Sequence, residues 1–180
     1  MGKDKLRKFA EVATFENVVQ LDAGKEYKGQ WASKFFGNNK PVVLELACGK
    51  GEYTVNLAKM FPNKNFIGVD YKGNRIWRGA KTALEEGIKN VGFLRIQIET
   101  ILEHFAKNEI SEIWITFPDP QPQESREKKR LTNPNFLERY KLILNQDGIM
   151  HLKTDNDGFY AYTLEQIDAL KLTKFKETAD

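Results

Sequence analysis

Glu45, Asp70, Asp119 and Asp155 each stand in or just after a short apolar run, and a glycine pair, Gly49 and Gly51, follows the first of these runs. Such residue types in this order suit a nucleoside ligand. Glycines let a backbone approach a ligand closely. A carboxylate at the end of the next strand, here Asp70, about 20 residues past the glycines, can accept hydrogen bonds from ribose hydroxyls. In parallel α/β sheets such ligands bind outside the carboxyl ends of the strands. Asp119 and Asp155 follow later strands and so reach the same edge.

The glycine pattern narrows the ligand. A dinucleotide fingerprint reads G-x-G-x-x-G, whereas this chain reads Glu45-x-Ala47-x-Gly49-x-Gly51. The stretch resembles motif I of class I S-adenosylmethionine-dependent methyltransferases, usually spelled E/D-x-G-x-G-x-G. Ala47 replaces the first glycine, a change that costs little if its φ is negative. Gly51 is read as clearing space for the ligand. The bland reading of the stretch is an ordinary glycine-containing turn between a strand and a helix.

The elements that position these residues alternate from residue 41 onward. Strands are predicted at 42–46, 66–70, 91–98, 112–117 and 148–153, with a sixth beginning at 172–176. Helices are predicted at 53–61, 74–88, around 101–105, from Asn133-Pro134 through Leu144, and over 158–170. Asn133-Pro134 is an N-cap and first-turn pair, and Gly87 is a helix stop. Alternation of this kind implies an α/β fold, a doubly wound, mostly parallel sheet with helices on both faces. Residues 1–40 do not repeat the pattern. They form a basic extension whose Phe9, Phe15, Trp31, Phe35 and Phe36 are better suited to dock on the domain than to stack on bases, and residues 41–180 form the domain itself.

A 180-residue chain that is 41% hydrophobic and 12% aromatic is expected to fold as one domain with a real core. No apolar run approaches a membrane span, and the basic N-terminus lacks the apolar stretch of a signal peptide. The single cysteine, Cys48, fits a reducing cytoplasm and serves as a small apolar residue. With His104 and His151 far apart, no metal-ligand spacing is present. The net charge of +3 is mild, but cations cluster at residues 3–8 and 123–130. The first cluster is equally well read as a solvated face. The second follows the fourth strand, beside the expected site, and points to nucleic acid.

Five stretches carry a closer resemblance: Glu45 to Gly51, Asn65 to Asp70, Phe117-Pro118-Asp119-Pro120, Lys128-Lys129-Arg130-Leu131, and Leu152-Lys153-Thr154-Asp155. Together they resemble the bacterial tRNA (guanine-N7-)-methyltransferases. The resemblance implies a Rossmann-like class I methyltransferase fold, S-adenosyl-L-methionine as donor with S-adenosyl-L-homocysteine as product, and a variable-loop guanine of tRNA as acceptor, in a monomer or homodimer. It assigns donor contacts to Glu45, Gly49, Gly51, Asp70, Gln97, Ile98 and Asp119, with Asp119 also catalytic. It assigns RNA or substrate contacts to Gln123, Arg126, Lys128, Lys129, Arg130, Thr154 and Asp155. The family usually reads F-P-D-P-W-P-K-x-R-H, so Gln121, Gln123, Ser125 and Arg126 depart from it, as does Gln97, where an acid is usual. The family's C-terminal T-x-Y-E-x-x-F-like segment is expected to be missing, and with it the last strand or strands of the sheet, because the chain ends at Asp180.

Guanine N7 has a lone pair and no proton, so its methylation needs alignment and negative charge rather than a base. Asp119 and Asp155 suit that charge. Asp155 could instead accept from the guanine N1–H and N2–H edge, or cap the helix that follows. Two other readings stay open. A methyltransferase acting on a protein or small molecule would not need the basic loop. A module that binds donor and RNA without turnover would not need the C-terminal segment.

Overall fold

The computed structural model describes residues 3–178; the outermost positions of the N-terminal extension (1–2) and of the domain (179–180) lie outside the described residues. Six parallel strands form one sheet: β1 (Val18–Gln20), β2 (Val42–Leu46), β3 (Asn65–Val69), β4 (Val91–Arg95), β5 (Ile110–Thr116) and β6 (Leu144–Lys153), in the order β1-β4-β3-β2-β5-β6. The helices are α1 (Lys3–Val12), α2 (Glu52–Met60), α3 (Gly73–Glu85), α4 (Ile101–His104), α5 (Pro134–Ile143) and α6 (Asp157–Ala169). The chain runs outward from β2 to β3 and β4, then crosses back to add β5 on the other side of β2. The switch point therefore lies between β2 and β5, where ligands of doubly wound sheets bind.

Residue type explains most of these elements. All five residues of β2 are buried, as expected of a strand covered on both faces. Val55, Leu57, Ile76, Ala80 and Phe93 form the core under α2 and α3, while Ile113, Ile115, Phe136, Leu137 and Tyr140 belong to the core under α5. The α5 cap works as expected, since the Asn133 side chain accepts from the Asn135 N–H at 3.1 Å. Gly87 closes α3 with positive φ, and the Gly87 and Ile88 amides bond back to Leu84 and Ala83 in a Schellman arrangement.

Two expectations fail. Residues 172–176 form no strand, and Phe175 there is 84% exposed. The sixth strand is β1, inside the N-terminal segment, where Val18 pairs with Phe93. A strand exists only where a neighbour completes its ladder, and three residues carry too little alternation to announce one. The N-terminal aromatics do dock. Trp31 is buried, stacks on Phe105 with centroids 5.4 Å apart, and donates its indole N–H to the His104 carbonyl at 2.8 Å. Burying ring and donor together satisfies both halves of an amphipathic side chain.

Candidate active site at the sheet switch point

The site starts at the turn after β2. Asp70 follows β3 directly, and its two carboxylate oxygens accept from the Gly49 N–H at 3.0 Å and the Lys72 N–H at 2.7 Å. Asp70 thus fixes the glycine turn to the start of α3 before any ligand arrives. Gly49 has φ +58, and a Cβ there would meet nothing within 4 Å. Its open side is where a ligand can approach the backbone.

Gly51 has the opposite surroundings. Its φ is +72, and a Cβ there would lie 2.4 Å from the Phe93 ring. The space this glycine clears is taken by the Phe93 ring, and not by the ligand expected of its place in the motif. Ala47 also departs from expectation. Its φ is +55, so the condition of a negative φ does not hold, and the residue carries left-handed strain.

Glu45 is only 3% exposed. Its carboxylate accepts from the Thr116 hydroxyl at 2.5 Å and from the Thr54 hydroxyl. Burial pushes the Glu45 carboxyl above the usual range, opposed by these two hydroxyl bonds. Glu45 therefore ties β2, α2 and β5 together at the switch point and is a positioning residue. Cys48 is buried as well, and burial raises its thiol far above the ordinary value, which keeps it a neutral, apolar filler.

A cavity of about 310 Å³ opens beside this turn, lined by Ala47, Asp70, Tyr71, Ile96 to Glu99, Lys129, Leu131 and Phe136. Its volume sits at the lower end of small-molecule sites. Asp70, Gln97 and Ile98 are brought together here, at the ends of β3 and β4, with apolar walls from Leu131 and Phe136. A planar base between apolar walls, with a ribose against Asp70 and the rest of the molecule passing Gly49, fits these surroundings. Glu45, Gly49, Gly51 and Asp119 are not part of this lining; Gly49 is tied to it only through its hydrogen bond to Asp70.

Asp119 lies beyond β5 on an exposed loop that turns sharply, with Phe117 and Gln121 both at φ +46. Its Oδ1 accepts from the Gln121 N–H at 3.1 Å. Gln123 to Lys129 follow as an exposed segment with one short 3-10 turn, so Arg126, Lys128 and Lys129 project from the rim. Arg130 behaves differently. Its guanidinium donates to the carbonyls of Gln121 (3.2 Å) and Pro122 (3.5 Å) and lies 4.4 Å from the Tyr162 ring centroid. It latches the loop to α6. After β6, Thr154 Oγ1 accepts from the Asn156 N–H at 3.1 Å. The cap of α6 is Asn156, whose side chain accepts from the Phe159 N–H at 2.8 Å; Asp155 is exposed and is not the cap. Among the described residues no cluster of three or more His, Cys, Asp or Glu side chains could hold a metal, and no helix is long and apolar enough to cross a membrane.

Comparison with known proteins agrees with this geometry. A family model described as "Putative methyltransferase" matches residues 39–180. The tRNA (guanine-N(7)-)-methyltransferase of Christiangramia forsetii is 61% identical over 91% of this chain and 75% of its own length. That of Bacteroides thetaiotaomicron is 51% identical over 96% of this chain and 70% of its own. Among solved structures, an antibiotic-related methyltransferase superposes with a TM-score of 0.58 at 18% identity, covering 84% of this chain and 78% of that one. A 16S rRNA adenine N1-methyltransferase from Catenulisporales acidiphilia, crystallised with its cosubstrate SAM, superposes with 0.55 at 16%, covering 73% and 62%. The distant structures establish the class I methyltransferase fold. With that fold, a nucleoside-sized cavity at the switch point and sequence identity of this extent, the chain belongs to the tRNA (guanine-N7-)-methyltransferase family.

Proposed function

We propose that this protein methylates N7 of a guanine in tRNA, the variable-loop position, with S-adenosylmethionine as donor. The observation that carries the reading is the meeting, on one sheet edge, of the Asp70–Gln97–Ile98 cavity with the Asp119 loop and its exposed cations. A methyltransferase for a protein or small molecule would not need those cations beside its acceptor side.

On this reading Asp70 receives the ribose hydroxyls, Gln97 and Ile98 hold the adenine, and Gly49 lets the donor pass close to the backbone. Glu45 acts one layer behind, by tying β2, α2 and β5 together, and Gly51 by leaving room for the Phe93 ring. When bound, S-adenosylmethionine supplies a methyl group on a sulfonium, which N7 takes with its own lone pair as the C–S electron pair returns to sulfur. No proton leaves N7, so the chain needs no general base. Asp119 instead places negative charge where the purine becomes cationic, on a loop whose three prolines restrict φ. Asp155 accepts from the N1–H and N2–H edge that distinguishes guanine from adenine. Arg126, Lys128 and Lys129 neutralise phosphates, while Arg130 holds their loop.

The test is methylation of an unmodified tRNA transcript, with nucleoside analysis of the product. Wild-type protein should yield 7-methylguanosine. Asp119→Asn keeps the shape and removes the charge; tRNA binding should persist, and single-turnover rates should fall roughly 10²-fold, the scale of losing one preorganised electrostatic partner. Wild-type rates in that variant would mean that the carboxylate only orders the loop.

A further inference from the structure

Two aromatic rings near the switch point have no part in the site so far described. Phe117, the first residue after β5, is 46% exposed and sits at φ +46. Its N–H donates to the Lys153 carbonyl at 2.8 Å, which holds the backbone in that turn. Tyr53, in the first turn of α2, lies with its ring centroid 6.2 Å from that of Phe117, the planes at 58°. The Lys153 ammonium, from the last residue of β6, sits 5.6 Å from the Phe117 centroid and 5.9 Å from that of Tyr53. Neither ring belongs to either core cluster, and neither lines the donor cavity.

A fold does not need a half-exposed phenyl ring on a left-handed backbone. Glycine would remove the strain and the exposed apolar surface together. Strain of this kind gathers where function over-determines the conformation. The ring's neighbours indicate which function. Thr116 and Lys153 pair at the ends of β5 and β6; Phe117 stands two residues before Asp119, and Lys153 two before Asp155, so the ring and its ammonium sit at the roots of the loops that carry the two acceptor-side carboxylates.

From this arrangement we infer that Phe117, backed by Tyr53, is the stacking platform for the acceptor purine, and that Lys153 covers it until RNA arrives. The inference rests on the proposed function and deepens it. Enzymes that modify a base take it out of its stack and hold it against aromatic side chains. An exposed cation–π contact is weak, so the Lys153 ammonium can leave the rings and pair with an RNA phosphate as the base enters. The platform has a further consequence for this reaction. N7-methylguanine is a cationic ring, and an aromatic face attracts a cation. Stacking therefore strengthens as charge develops on the purine. The platform accepts any base, so the choice of guanine remains with the polar edge contacts.

The experiment is steady-state methylation of an unmodified tRNA transcript by wild type, Phe117→Leu, Phe117→Tyr and Phe117→Gly, with calorimetric titration of S-adenosylmethionine into each. Phe117→Leu should raise KM for tRNA roughly 10- to 100-fold, the range expected for one lost base–aromatic stack, with donor affinity unchanged. Phe117→Tyr should restore KM to within about 3-fold of wild type. Phe117→Gly should lose tRNA affinity as Leu does while Tm rises by about 2–4 °C, because the left-handed strain is relieved. A transcript with 2-aminopurine at the acceptor position should be quenched by wild type and not by Phe117→Leu. Leu and Tyr variants that behave alike, or a Gly variant that melts below wild type, would overturn the platform. A wild-type protein that makes no 7-methylguanosine would instead sink the proposed function, whatever the variants do.

Discussion

Along the carboxyl edge of the sheet, the acids on the β2–β3 side are buried and engaged, while those on the β5–β6 side are exposed. Glu45 and Asp70 are 3% and 8% exposed, and every carboxylate oxygen they carry already has a protein donor. Asp119, Asp155, Arg126, Lys128 and Lys129 are exposed. The first half is therefore complete in the free protein, and the second acquires its partners from RNA. Substitutions should divide the same way. Those on the β2–β3 side should register in stability and donor binding, and those on the β5–β6 side in RNA binding and turnover.

The strongest way to break the contrast is at the glycines. Gly51→Val drives a Cβ into the Phe93 ring and forces a β-branched residue to positive φ. It should destabilise the protein by about 3 kcal/mol or more in denaturant unfolding, and Phe93→Leu should recover part of that loss. Gly49→Ala, facing open space, should cost about 1 kcal/mol or less in stability while weakening S-adenosylmethionine in calorimetry. A stable Gly51→Val protein that loses only donor binding would return that glycine to the ligand side.

A smaller effect sharpens the acceptor half. Replacing Arg126, Lys128 and Lys129 by Ala should weaken tRNA binding and flatten its salt dependence by up to about one unit of slope per lost phosphate contact. Unfolding free energy should stay within about 0.5 kcal/mol of wild type. Arg130→Ala should do the reverse. It releases the carbonyls of Gln121 and Pro122 and the Tyr162 face, so hydrogen exchange in residues 121–133 should speed up, with the salt slope nearly unchanged. Equal slope changes from Arg130 and from the other three would place Arg130 on the RNA after all.

The smallest effect concerns the turn itself. Ala47→Gly should stabilise the protein by roughly 1 kcal/mol, since φ +55 suits glycine. Donor affinity should fall less than in Gly49→Ala, because Ala47 lends the cavity only its methyl group while Asp70 fixes the turn. Lower stability in that variant would mean that the Ala47 methyl, which packs against the core, offsets the backbone strain.

Much of this molecule is determined by neighbours in the chain, and that part is legible in the sequence. Buried runs such as 42–46, the Asn133-Pro134 cap and the Gly87 stop each act within a few residues, so residue type alone announces them. The same local logic ordered strand and helix into a parallel sheet and put Asp70, Gln97 and Ile98 at strand ends, where the cavity gathers them. What depends on distant contacts was not legible. Gly51 answers to Phe93, Arg130 to Tyr162, and Trp31 to Phe105. β1 forms because β4 offers an unpaired edge, whereas residues 172–176 take no partner and stay irregular. Glu45 reads as a ligand contact from its motif, but Thr54 and Thr116 claim it once the sheet closes. Periodicity and caps are properties of a segment; which face a side chain finally meets is a property of the packed whole, and only the tertiary structure decides it.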